Sequence, residues 1–182
     1  MQWTIPGTTL TGIRAEADNL EQQFQAIFSM GGLTLSQVSS LTGLEPYTVQ
    51  NWVKRGFLPS PVQKRYDLER VCRLININIL KGTMPLEQIT KLMAYLNGDL
   101  ADERDDLVDD TLLFFLFVKL AARARYIGGS ENWDDALIHA TADYAEPVPG
   151  AREKLIKVLK VMLTIWVANQ LKAQAEQMIG DL

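Results

Sequence analysis

Residues 34–60 read TLSQVSSLTGLEPYTVQNWVKRGFLPS, and their punctuation decides the fold of the first half of the chain. Thr34 suits an N-cap, and Gln37 three positions on can complete a capping box. Leu33 and Val38 have the spacing of a hydrophobic staple across that cap. Val38 and Leu41 face inward, and Gly43 can take the left-handed conformation that ends a helix. Pro46 then suits a first helical position. Val49, Trp52 and Val53 fall at i, i+3 and i+4, which makes them a buried stripe. The other side bears Tyr47, Thr48, Gln50, Asn51, Lys54 and Arg55, and Gly56 closes the helix. Two short helices around a glycine-containing turn, the second polar and basic outside, have the pattern of a helix-turn-helix.

Helical spacing dominates on both sides of this unit, and strand signals are nearly absent. Upstream, Ala15 to Met30 places Leu20, Phe24, Ile27 and Phe28 on one face, and Gly31-Gly32 stops it. Downstream, Pro59 and Pro61 cannot continue a helix, so 57–66 is an irregular loop or small hairpin bearing Lys64 and Arg65. Asp67 caps the next helix, whose stripe is Leu68, Val71, Ile75 and Ile79, with Gly82 at its end. Pro85 begins another, with Leu86, Ile89, Leu92, Met93 and Leu96 inward and Asn97-Gly98 as the stop.

From Asp99 to Asp110 the chain turns acidic: Asp99, Asp102, Glu103, Asp105, Asp106, Asp109 and Asp110 stand against Arg104. This marks a domain boundary. A solvated linker running into an acidic first helical turn explains it, and a carboxylate metal site is the sharper alternative. Three helical stretches follow, at about Leu107 to Tyr126, Trp133 to Ala145 and Ala151 to Met178. The last places Leu155, Leu159, Met162 and Trp166 at 3–4 spacing, widened by Val158, Ile165 and Val167. So wide a stripe implies a bundle core or a subunit interface. The expected architecture is all-α: an N-terminal helical extension at 1–32, a winged helix-turn-helix head at 33–98 and a C-terminal helical bundle at 99–182.

The 182 residues are 47% hydrophobic and 22% charged, with a formal net charge of −4, so the molecule is no polycation. The charge is nonetheless segregated. Residues 34–82 hold seven cations (Lys54, Arg55, Lys64, Arg65, Arg70, Arg73, Lys81) and three anions (Glu45, Asp67, Glu69), a balance of +4 that leaves −8 elsewhere. A basic head on an acidic body orients a protein on a polyanion. Cys72 is the single cysteine and falls in an apolar pattern, as a small buried side chain would. His139 has no nucleophile or carboxylate partner by spacing and reads as structural or surface. No phosphate-cradling glycine loop, paired-carboxylate motif or nucleophile elbow is present. The expectation is a non-enzyme with no cofactor and no metal. MQWTIPGTTL lacks the pattern of a signal peptide, and TLLFFLFV (111–118) falls well short of the ~20 residues a membrane span needs. A cytoplasmic protein without membrane contact is expected.

LTLSQVSSLTGL, TVQNWVKRGFLPSPVQKRYDLERV and MPLEQITKLM together resemble the DNA-binding head of the mercuric-resistance-regulator (MerR) family. That family runs helix-turn-helix, a wing ending in an Arg-x-Tyr-type segment, then a helix pair. The resemblance covers Leu33 to Gly98. With SMGGLTLSQVSSLTGLEPYTVQNWVKRGF and DERDDLVDD, the whole chain is similar to an uncharacterised bacterial family with such a head and a helical tail. Two features depart from the regulators: a helix precedes the head, and several helices replace the single long coiled-coil helix after it. No cysteine set for metal sensing follows, so metal or drug sensing is not implied.

The resulting expectation is a transcriptional regulator that binds double-stranded DNA. Residues 46–55 would enter the major groove and the wing at 57–66 would lie on the phosphate backbone. Gln50 and Asn51 can pair with adenine edges, and Lys54 and Arg55 with guanine or phosphate. Tyr47 and Thr48 sit near the helix start, where they meet the backbone or the first bases. Lys64 and Arg65 would meet phosphates. A two-fold operator calls for a homodimer, with the stripe of the last helix as interface and the Leu107 to Tyr126 helix as competitor. The alternative is a protein–protein interaction adaptor that reuses the helix-turn-helix fold.

Overall fold

The computed structural model describes residues 2–98, 105–124 and 133–180. The chain opens with a small antiparallel pair, β1 (Gln2–Thr4) and β2 (Thr11–Ile13), in the register Trp3 to Gly12. A 3-10 turn (Arg14–Asn19) leads into α1 (Leu20–Phe28). The expected single helix from Ala15 is thus divided, and a hairpin precedes it. Leu20 and Phe24 are buried as expected, but Ile27 is 48% exposed. Phe28 is half-buried, and Met30, one turn beyond Ile27, is also exposed, so the apolar face is covered only on the Leu20–Phe24 side.

The decisive stretch folds as its punctuation implies. β3 (Leu33–Thr34) runs into α2 (Leu35–Thr42), where Thr34 and Gln37 form the reciprocal capping box. Gly43 takes a left-handed φ of 69° and returns its N–H to the Ser39 carbonyl. α3 (Pro46–Lys54) follows after three residues. β4 (Arg65–Tyr66) pairs antiparallel with β3, Leu33 opposite Tyr66. The loop at 57–66 therefore finds its strand partner 31 to 33 residues upstream. Only its tip is hairpin-like, with Val62 and Arg65 exchanging both backbone bonds at 3.0 and 2.9 Å.

α4 (Leu68–Leu80) starts at Asp67, whose carboxylate accepts from the Arg70 amide. α5 (Leu86–Asn97), α6 (Asp110–Arg123), α7 (Trp133–Ala140) and α8 (Ala151–Gly180) complete the chain. α6 begins later than expected because Asp109 is its cap, accepting from the Leu112 amide at 2.7 Å. Its expected end at Tyr126, and Asp99, Asp102, Glu103 and Arg104 of the acidic stretch, lie outside the described residues.

One continuous core joins these elements, and the α4–α6 pairing is its most extensive contact. Phe24 of α1 meets Phe114 and Phe115 of α6, with ring centroids 5.7 and 5.6 Å apart. Polar groups inside that contact bond to one another. Arg73 Nε donates to Asp110 Oδ2 at 2.5 Å, and Asn76 Nδ2 donates to the Asp110 carbonyl at 3.1 Å. Burial pushes the Asp110 carboxyl up, against the opposing pull of Arg73 and Asn76. Asn97 clips the far side of the acidic stretch, donating to the Val108 carbonyl and accepting from the Val108 amide. Among the described residues, no helix is long and apolar enough to cross a membrane.

The N-terminal segment also braces α2. Thr9 donates from its amide to the Leu41 carbonyl at 2.8 Å and from its hydroxyl to Ser40 at 2.6 Å. Two carbonyls at the end of α2 are satisfied this way. Gly7, at φ 71°, lies flat on α4: a Cβ there would sit 2.9 Å from the Ile75 carbonyl oxygen.

Candidate nucleic-acid interface

α3 is anchored from behind. Val49 is fully buried and Trp52 nearly so, both within the main core. Leu44 in the turn and Leu58 after the helix are buried too, so both ends of α3 are fixed. At its end the Phe57 amide donates to the Trp52 carbonyl at 2.9 Å and the Gly56 amide to the Val53 carbonyl at 3.1 Å. These bonds bring the chain away from the helix without leaving its last carbonyls bare.

The outer face follows from the helical repeat. Tyr47, Gln50, Asn51 and Lys54 fall at i, i+3, i+4 and i+7, and all four are exposed, Tyr47 at 71%. None of the four makes a side-chain hydrogen bond or ion pair with a described residue. Thr48 is half-buried at the edge of this face. Arg55 is different. Its Nη2 lies 3.3 Å from Glu87 Oε1 of α5, and its guanidinium stacks 4.7 Å from the Phe57 ring centroid. Glu87 is not legible in the sequence as a partner, since nothing local links it to a residue 32 positions earlier.

Lys64 and Arg65 lie on a separate element, the tip that β4 ties to β3 and hence to α2. Gln63 and Lys64 occupy left-handed backbone, at φ 49° and 62°. The left-handed conformation costs a side-chain-bearing residue roughly 1–2 kcal/mol, and glycine normally fills such a turn. Lys64 is exposed at this strained tip. Arg65 Nη1 donates to the Gly32 carbonyl at 2.9 Å, so part of that guanidinium braces the sheet end.

The basic balance of the head is therefore thinner at its surface than the sequence count implies. Arg73 is inside with Asp110, Arg70 is paired with Asp67, and Arg55 is paired with Glu87. Lys54 and Lys64 remain as bare cations at the predicted positions, with Arg65 partly engaged. A separate cleft of about 690 Å³ is bordered by residues 106–109, α6 and the end of α7. Glu69, Asp109 and Asp143 line it against one cation, Lys119, while the Asp106 carboxylate is buried beside Arg73. That sign disfavours a polyanion. The polar side of α3 is the surface whose chemistry suits nucleic acid.

A family described as a domain of unknown function (DUF1836) matches residues 20–111, a little over half of the chain. The match runs from the start of α1 to the first turn of α6, and so includes α3, the strained tip and the Arg73–Asp110 pair. No curated protein and no solved structure matches the chain. The chain belongs to the DUF1836 family.

Proposed function

We propose that this member of the DUF1836 family is a DNA-binding transcriptional regulator with a MerR-like winged helix-turn-helix head. α3 enters the major groove and the 57–66 segment rests on the phosphate backbone as the wing. One observation carries the reading. Tyr47, Gln50, Asn51 and Lys54 form a bare polar row on a helix whose opposite row, Val49 and Trp52, is locked in the core. A rigid helix with an uncommitted amide and cationic face has the donors and acceptors that base edges require. The strained Gln63–Lys64 tip adds to this, because backbone strain clusters where function needs it. A homodimer would match a two-fold operator.

Groups on the row divide by task. Gln50 and Asn51 read adenine edges, and Lys54 takes guanine or phosphate. Tyr47 and Thr48 meet the backbone at the helix start, while Lys64 and Arg65 hold phosphates. Arg55 joins them only by leaving or sharing Glu87. The second reading, a protein-interaction adaptor, draws on Tyr47, a large exposed aromatic of the kind enriched at protein interfaces. Selection of bound duplexes from a random pool, followed by sequencing, separates the two. The DNA reading predicts an enriched motif that changes on Asn51→Ala. A pool that stays flat through successive rounds contradicts it and leaves the adaptor.

A further inference from the structure

α8 is apolar on two faces, and only one of them meets the rest of the chain. Its inner row, Leu155, Val158, Leu159, Met162 and Leu163, is buried in the core. The stripe expected to form a subunit interface is thus largely the chain's own interior, and half-buried Trp166 continues it by packing edge-on against Phe117. The inner row ends at Asn169, whose amide donates to the Ile79 carbonyl at 3.0 Å. From Gln170 to Gly180 every residue is exposed. At 1.5 Å per residue this is roughly 15 Å of helix beyond the body.

The outer face has its own order. Val161, Thr164, Ala168, Leu171, Ala175 and Met178 follow one another at intervals of 3, 4, 3, 4 and 3. All six are exposed, with Leu171 at 45% and Met178 at 63%. That alternation is the a/d seam of a coiled coil, distinct in phase from the inner row. Alanines at two of the six seam positions, Ala168 and Ala175, let another helix come close.

We propose that this outer seam of α8 docks against the same seam of a second copy of the chain. Three observations select that occupant. An identical helix has the same 3.5-residue spacing, so knobs and holes match along about 26 Å, from Val161 to Met178. The free segment carries Lys172 and Glu176, one of each sign, so two copies meet without net repulsion and no single-sign field calls for an oppositely charged partner. A free stretch of about eleven helical residues is also marginal in water unless something covers it, and a two-fold pair covers both copies at once. The inference rests on the homodimer part of the functional reading and stands without the DNA part.

Sedimentation velocity on the full chain tests it, comparing wild type with Leu171→Glu/Met178→Glu. Both positions are exposed, so the body should fold alike in each, and far-UV circular dichroism should differ by no more than the helix of the free segment. Wild type should sediment as a dimer at tens of micromolar, or about that order, and the double variant as a monomer at every concentration reached. Leu171→Cys, near the middle of the seam, should form a disulfide-linked dimer on mild oxidation, with buried Cys72 taking no part. A wild type that stays monomeric, a double variant that stays dimeric, or a Leu171→Cys chain that does not cross-link would each overturn the seam. Binding of wild type to random duplex is scored in parallel. A monomer that binds duplex sinks the seam alone, and a dimer indifferent to duplex sinks the DNA reading alone.

Discussion

The α4–α6 contact and the outer face of α3 use overlapping chemistry in opposite ways. Inside the contact, Arg73, Asn76 and Asp110 are buried and bonded to one another. On α3, Gln50, Asn51 and Lys54 are exposed and bonded to nothing described. A buried polar group without a partner costs several times what a surface one does, so the interior charges are held by partners buried beside them. The surface set is under no such demand. Its side chains remain free to bond a ligand, and removing one leaves the fold almost untouched. The same residue types are thus structural in one place and available in the other, and burial decides which.

The largest expected effect lies in the buried set. Asp110→Ala leaves the Arg73 guanidinium buried without its closest anion and should destabilise the protein by about 3–5 kcal/mol in urea unfolding. Replacing both members, Arg73→Met with Asp110→Leu, should recover most of that loss. If the double replacement were as damaging as the single one, the pair would be needed for more than mutual neutralisation.

Trp52→Ala tests the boundary between the two sets, since Trp52 is on α3 but faces inward. It should cost roughly 3–5 kcal/mol of stability, as large-to-small core changes do. Asn51→Ala and Gln50→Ala, one and two residues before it, should stay within about 0.5 kcal/mol of wild type. Against the preferred duplex each should lose about 1–3 kcal/mol of base discrimination. An Asn51→Ala protein that unfolds early in urea would blur the comparison.

The smallest effect is at the tip. Lys64→Gly relieves a left-handed side-chain-bearing position and should raise stability by up to about 1 kcal/mol. The same change should lower the salt dependence of duplex binding by roughly one phosphate contact. A variant both more stable and less salt-dependent would mark the strain as maintained for binding. Gained stability with unaltered salt dependence would put Lys64 outside the interface.

Much of this contrast is legible in the sequence. Thr34, Gln37, Gly43 and Asp67 announce their caps by local chemistry, because each bond closes within four residues. The Val49–Trp52 stripe and its polar opposite follow from a single helical period. What stayed hidden depends on distant partners. β4 pairs with β3 across more than thirty residues, and two-residue strands give no alternation to read. Glu87 meets Arg55, and Asp110 meets Arg73, through packing that no short window contains. Asp110 itself sits among acidic residues and reads as one more surface charge, although it is buried. In α8 the inner and outer rows overlap and merge into one broad stripe, and only the structure separates them.

The measurement that tests the central claim most directly is the salt dependence of binding to a random duplex. It should be made on wild type and on a variant with Lys54, Arg55, Lys64 and Arg65 all changed to Gln. The logarithm of the binding constant falls with the logarithm of salt in proportion to the phosphates contacted, by about 0.9 for each. The account predicts clear binding by wild type at low salt, and a slope two to four units, or about that, shallower in the variant. Arg55 and Arg65 set the spread, since each already has a partner within the chain. Equal slopes, or wild-type binding no stronger than that of the variant, would contradict the claim that this face of α3 and its neighbouring tip bind DNA.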